Sequence, residues 1–85
     1  MRVSGFVCPA CGFPDLDEPP RSPTGGSSYE ICPSCGFEFG VTDDDLGYSY
    51  LEWRERWLGS GARWTHGDPP AGWDPRAQLT NIADR

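Results

Sequence analysis

The chain has 85 residues, enough for one small domain in which a hydrophobic core alone gives only marginal stability. Its formal net charge is −6 and its seven basic residues are all Arg, so phosphate backbones and anionic lipid surfaces are disfavoured as partners. No stretch of the sequence approaches the roughly 20 apolar residues of a membrane span, which excludes an integral membrane protein of the helical kind.

A cysteine-containing hexapeptide follows a short predicted strand at residues 3–7. It reads Cys8-Pro9-Ala10-Cys11-Gly12-Phe13 and recurs with one change as Cys32-Pro33-Ser34-Cys35-Gly36-Phe37. A Cys-x-x-Cys turn brings two sulfurs to one ion, and the 20 residues between the two pairs suit a zinc site of this kind. The sequence therefore predicts one tetrahedral metal centre with Cys8, Cys11, Cys32 and Cys35 as its ligands.

The other uses of four cysteines are disulfides, buried free thiols and a redox dithiol. Disulfides need an oxidising compartment, and residues 1–6 lead into no apolar segment that could export the chain, so a cytoplasmic location is expected. A redox Cys-Pro-x-Cys site normally opens a helix, which Gly12 and Gly36 disfavour by favouring a positive φ. Zn²⁺ is the expected cofactor, with Fe as the alternative because both accept four sulfurs in a tetrahedron.

Residues 15–28 are rich in Pro and Gly and are predicted to form an exposed loop. Residues 29–31 and 37–41 flank the second cysteine pair, and the period-two alternation after that pair predicts a hairpin built around it. The predicted fold class is α+β: a small antiparallel zinc-ribbon or rubredoxin-like sheet, with one longer and one short helix C-terminal to it.

The longer helix is predicted at residues 43–58. Thr42 and Asp45 have the spacing of a capping box, Gly59 suits a C-cap, and an apolar face follows the helical period. That face consists of Leu46, Tyr50, Trp53 and Trp57.

The short helix is predicted at residues 75–83, with Asp74 as its N-cap and Pro75 at its first position. The chain is thus expected to form a single metal-stabilised domain over residues 1–85. Residues 1–41 would form a two-knuckle zinc ribbon, and residues 42–85 a helical part packed on it.

No catalytic or small-molecule-binding residues are predicted, and the protein is not expected to be an enzyme. His66 is the sole histidine and has no recognisable nucleophile and orienting acid beside it in sequence. Trp53 and Trp57 are predicted core residues, whereas Trp64 and Trp73 lie in loop-like sequence. Each of the latter two either closes the core or stands partly exposed as an anchor for a partner.

With these features in view, the chain resembles the small bacterial cysteine-rich proteins called the CPCC family. The matching segments are the first hexapeptide, residues 17–20, residues 29–35 and the acidic run at residues 43–45, with residues 69–75 and 78–79 as a further match. Ala10 departs from the pattern, since the family name implies a cysteine there. The resemblance implies a metal-binding domain without an assigned activity. Each knuckle also resembles those of rubredoxins, in which four such sulfurs hold a redox-active iron.

Two functions follow as hypotheses. The first is a non-catalytic structural-zinc module that contacts another protein through an acidic and aromatic surface. The second is a rubredoxin-like iron protein that transfers electrons. Nucleic-acid binding ranks last, because Arg54, Arg56, Arg63 and Arg76 are offset by nearby acids. The sequence predicts neither the identity of the partner nor the oligomeric state.

Overall fold

A computed structural model of the protein describes residues 5–22 and 24–82. It contains helix α1 (Tyr50–Gly59) and helix α2 (Pro75–Leu79), and α2 continues into a 3-10 helix at Thr80–Ile82. Three isolated antiparallel bridges pair Phe6 with Leu16, Arg21 with Ser27 and Ile31 with Glu38. Within the described ranges no helix is long and apolar enough to cross a membrane.

The predicted antiparallel zinc-ribbon or rubredoxin-like sheet is wrong, because residues 5–22 and 24–82 contain no β-strand beyond those bridges. The flanks of the second knuckle do meet at Ile31 and Glu38. The pairing ends nearby because Tyr29 has φ 60° and Gly40 has φ 98°, which take the backbone out of the extended region. Of the strand predicted at residues 3–7, residues 3 and 4 lie outside the described residues, and the remainder forms only the bridge at Phe6.

The predicted start of the longer helix at residue 43 is also wrong, since α1 begins at Tyr50 after its N-cap Ser49. The Ser49 hydroxyl accepts a hydrogen bond from the Glu52 amide (3.0 Å), and the Glu52 carboxylate accepts one from the Ser49 amide (2.9 Å). This is a complete capping box. At its other end α1 runs through Gly59, and Ser60 rather than Gly59 is the C-cap.

The acidic run fixes a loop instead of starting a helix. Asp43 accepts hydrogen bonds from the amides of Gly40 (2.7 Å) and Asp44 (2.9 Å), and Arg21 pairs with Asp43 (2.9 Å) and Asp44 (2.5 Å). Burial acts to raise the pKa of Asp43, but these amide donors and the Arg21 guanidinium together hold that pKa below its usual range.

The short helix starts as predicted. Asp74 is the N-cap, its carboxylate accepts a hydrogen bond from the Arg76 amide (3.0 Å), and Pro75 occupies the first position. The α-helical part ends at Leu79, earlier than predicted, and residue 83 lies outside the described residues.

The core lies between the two knuckles and α1. Phe37 and Phe39 are fully buried, and the Phe37 ring lies 5.3 Å from Tyr50 and 5.9 Å from Trp53, measured between ring centroids. The predicted core role of Trp57 is confirmed, because that side chain is only 4% exposed. Leu46, which was predicted on the same apolar helix face, precedes α1 and is 64% exposed.

Candidate metal centre

The two knuckles share one backbone geometry. In the first, the Cys8 amide donates to the Phe13 carbonyl and the Gly12 amide donates to the Cys8 carbonyl, each at 2.8 Å. The second repeats this pattern between the equivalent residues, at 2.9 Å and 2.8 Å. Gly12 (φ 88°) and Gly36 (φ 82°) both take the predicted positive φ, which lets each turn close without steric strain from a side chain.

All four cysteine sulfurs converge on one point. The four Sγ atoms lie within 4.8 Å of one another, with Cys8 and Cys35 separated by 3.9 Å and Cys11 and Cys32 by 3.6 Å. These separations are far longer than the about 2.0 Å of a disulfide, and all four cysteines are free. A tetrahedron with metal–sulfur bonds of about 2.3 Å has sulfur–sulfur edges of about 3.8 Å. The donor set therefore fits one four-coordinate ion.

The sulfurs are enclosed by protein. Cys8, Cys11 and Cys32 are fully buried and Cys35 is 2% exposed. Hydrogen bonds from the other three thiols, that of Cys11 first, lower the pKa of Cys8. The pKa of Cys35 is raised by its hydrogen bond with the Cys11 thiol first, and then by those with the other two thiols and by burial. Several thiolates buried this close together repel one another, and a bound cation would compensate their charge.

The outer side of the first knuckle is covered by side chains from the C-terminal half of the chain. Four consecutive backbone carbonyls, those of residues 9–12, each accept a hydrogen bond. Arg54 donates to Pro9 (2.8 Å) and Ala10 (2.7 Å), Gln78 to Cys11 (3.2 Å), and Asn81 to Gly12 (2.7 Å). The turn that carries Cys8 and Cys11 is therefore held from both helices.

The second knuckle is held in the same way by different groups. The Pro33 carbonyl accepts hydrogen bonds from the amides of Thr65 and His66 (3.0 Å each) and from the Thr65 hydroxyl (2.9 Å). The indole N–H of Trp53, on α1, donates to the Cys35 carbonyl at 3.0 Å. Adjacent residues of α1, Trp53 and Arg54, thus bind one knuckle each.

Gln78 joins the two knuckles. Its side chain amide donates to the Cys11 carbonyl in the first knuckle and to the Ser34 hydroxyl (2.8 Å) in the second, and its carbonyl oxygen accepts from the Trp73 indole N–H (2.8 Å). Ser34 is the one position at which the two hexapeptides differ, Ala10 being its counterpart. Gln78 is only 7% exposed, so this bridge is buried.

Sequence reasoning grouped the four cysteines that the structure places close together, but it missed the residues that hold their turns. Arg54 was considered only as part of a basic face, and neither Gln78 nor Asn81 was given a role. The sequence offers only a weak indication that Gln78 is buried: it is a polar residue between Ala77 and Leu79 on a short helix. Its role depends on residues 44 and 67 positions away in the chain.

Trp64 and Trp73, left open between core and exposed positions, are each half-buried. The Trp64 ring packs edge-on against Phe13 (5.6 Å between centroids) and against Trp73 (5.2 Å). His66 is exposed, and its backbone amide rather than its ring contacts the second knuckle.

No family model, curated protein or solved structure matches the chain. Membership of the CPCC family stays a prediction, and the proposals below rest on geometry and chemistry.

Proposed function

We propose that this protein is a non-catalytic module in which one zinc ion, bound by Cys8, Cys11, Cys32 and Cys35, stabilises a surface for protein–protein contact. The burial of the four sulfurs carries the proposal. A catalytic zinc keeps one coordination position for water or substrate, whereas a structural zinc is closed by four protein ligands. Here four sulfurs within 4.8 Å of one another are at most 2% exposed, which leaves no approach for a substrate.

The same burial favours zinc over an electron-transferring iron. Four thiolates accommodate either metal, but electron transfer requires a redox partner to come close to the centre. Arg54, Trp53 and Gln78 already bind carbonyls of the two knuckles and so cover part of the backbone around the sulfurs. The cysteines are therefore used to hold the fold together, in a cytoplasmic protein whose thiols stay reduced.

Contact with another protein accounts for the apolar side chains left at the surface. Among the described residues, six large ones are between 43% and 67% exposed: Phe6, Tyr29, Ile31, Leu46, Leu51 and Leu58. Leu51 and Leu58 are seven residues apart on α1 and so share one helix face. A chain of charge −6 with such a face suits a partner surface that is both apolar and basic.

Elemental analysis with a visible absorption spectrum, on protein purified under reducing conditions, tests the metal. We expect one zinc per chain and no colour. One iron with thiolate-to-iron charge-transfer bands would replace this proposal with electron transfer, and a metal-free folded protein would contradict both. Cys32→Ser should abolish tight metal binding, whereas Ser34→Ala, in the same turn, should retain it.

Photo-crosslinking in cells, from a reactive residue placed at Leu51, tests the contact. A discrete adduct with a second protein is the expected result. Adducts no different from those formed from Arg56, an exposed residue on the opposite side of α1, would contradict this part of the proposal, as would the absence of any adduct.

A further inference from the structure

A groove with a volume of about 300 Å³ lies beside the first knuckle and α2. Its aromatic walls are Phe13, Trp64 and Trp73, and its other lining residues include Asp15 and Asp74. It is separate from the buried sulfurs and is open to solvent. The proposed structural role of the cysteine cluster does not explain this groove.

The indole N–H groups of the aromatic walls already have hydrogen-bond partners. Trp64 stands at 80° to Trp73 and at 75° to Phe13. Both indole N–H groups are already used, that of Trp64 by the His66 carbonyl (2.7 Å) and that of Trp73 by Gln78 (2.8 Å). A polyproline segment exposes backbone carbonyls that have no internal hydrogen bonds, and these two indole N–H groups are not free to bind them.

The charge of the groove selects a cation. Asp15 and Asp74 are both exposed acids, and no Lys, Arg or His is among the described residues that line it. Aromatic ring faces attract cations through their quadrupole, most strongly when the ring is that of Trp. Carboxylates beside such rings also attract a cation. The net charge of −6 adds a weaker attraction of longer range.

We infer that this groove binds an arginine side chain of a protein partner. A guanidinium is planar, stacks on aromatic faces, and presents a fork of N–H donors to carboxylates, whereas an ammonium is more strongly hydrated. The volume lies at the lower end of the range of about 300–1,000 Å³ for ligand pockets, which suits one side chain better than a cofactor. This inference rests on the proposed function and names the chemistry that the partner must supply.

The metal centre supports the groove through one chain of contacts. Trp73 is held by Gln78, which in turn is held by the Cys11 carbonyl and the Ser34 hydroxyl. The groove is therefore to be tested on the metal-loaded full chain, in which both knuckles are closed.

The test is a titration of metal-loaded protein with N-acetyl-Gly-Arg-Gly-amide, followed through the indole N–H resonances of Trp64 and Trp73. We expect saturable shifts at both, with a Kd of about 1–10 mM for a single side chain. The same peptide with citrulline in place of arginine keeps the shape and loses the charge. It should bind at least about fivefold more weakly.

Two matched variants test the carboxylates. Asp15→Asn combined with Asp74→Asn should weaken binding of the arginine peptide by about fivefold, and Asn at position 74 still caps α2. Asp45→Asn removes an equally exposed acid outside the groove and should leave the Kd unchanged.

The inference is overturned if the citrulline peptide binds as well as the arginine peptide, or if the double variant binds like the wild type. It is equally overturned if an arginine-free proline-rich peptide or tetramethylammonium binds more tightly than the arginine peptide, since the groove would then recognise another chemistry. A zinc-loaded, folded protein that fails to bind arginine overturns this inference alone, whereas a folded protein that holds no metal overturns the proposed function.

Discussion

Gly12 and Gly36 occupy the same position in the two knuckles but have different surroundings. Both have a positive φ, at 88° and 82°. A Cβ added to Gly12 would collide with the backbone carbonyl oxygen of Gln78, on α2, whereas one added to Gly36 would meet nothing closer than the Thr65 hydroxyl at 3.4 Å. The same substitution at these two sites therefore separates the cost of backbone strain, which both share, from the cost of displacing α2, which arises only at Gly12.

We expect Gly36→Ala to lower the free energy of unfolding by about 1–2 kcal/mol, which is the cost of a left-handed conformation for an L-residue. Gly12→Ala should lower it by at least about 1 kcal/mol more, because α2 must also move away from the first knuckle. Denaturant unfolding of the metal-loaded variants measures both values. Equal losses would contradict the close approach of α2 to Gly12.

At the level of elements, the knuckles and the start of α2 were predictable because their determinants are local. Two hexapeptides fix the spacing of the sulfurs and the φ of Gly12 and Gly36, and Asp74-Pro75 fixes the beginning of α2. These features need no information from elsewhere in the chain.

The start of α1 was not predictable in this way, since the sequence has two candidate caps. Thr42 with Asp45 and Ser49 with Glu52 both have capping-box spacing. The structure uses the second, while Arg21, from a distant loop, pairs with the acidic run beside the first. The hairpin around the second knuckle failed for a related reason: alternation of residue types does not reveal that Tyr29 takes φ 60°.

Helix α2 is too short to be stable alone, so Gln78 should account for much of its attachment. Gln78→Met keeps the size of the side chain but leaves the Cys11 carbonyl and the Trp73 indole N–H without their partner. We expect a loss of about 2 kcal/mol, because buried polar groups lose their hydrogen bonds.

Arg76→Met on the same helix is the matched control, since Arg76 is exposed and the bond that its backbone amide donates to Asp74 survives. It should change stability by less than about 0.5 kcal/mol. Thermal unfolding of the two metal-loaded variants distinguishes them. A similar loss of stability in both would show that the Gln78 side chain does not hold α2 in place.

For the molecule as a whole, the two knuckles and their cysteine cluster, rather than an extended sheet, are what both helices attach to. Helices of ten and five residues are shorter than the about 12–15 residues at which isolated helices become marginally stable. The part of the chain that the structure describes has no strand ladder to support them. Their polar attachments run to the knuckles, from Trp53 and Arg54 on α1 and from Gln78 on α2.

Removing the metal should therefore loosen α1 as well as the knuckles. Chelation under reducing conditions, followed by hydrogen exchange and mass spectrometry, should show faster exchange across Tyr50–Gly59 and at the Thr65 and His66 amides, which donate to Pro33. The pairing of Ser22 with Gly26 is the internal control, because the hydrogen bond from the Ser22 amide to the Gly26 carbonyl is local. If α1 kept its protection after chelation, apolar packing of Trp57 and Phe37 would suffice to hold the helix, and the metal would stabilise the knuckles alone.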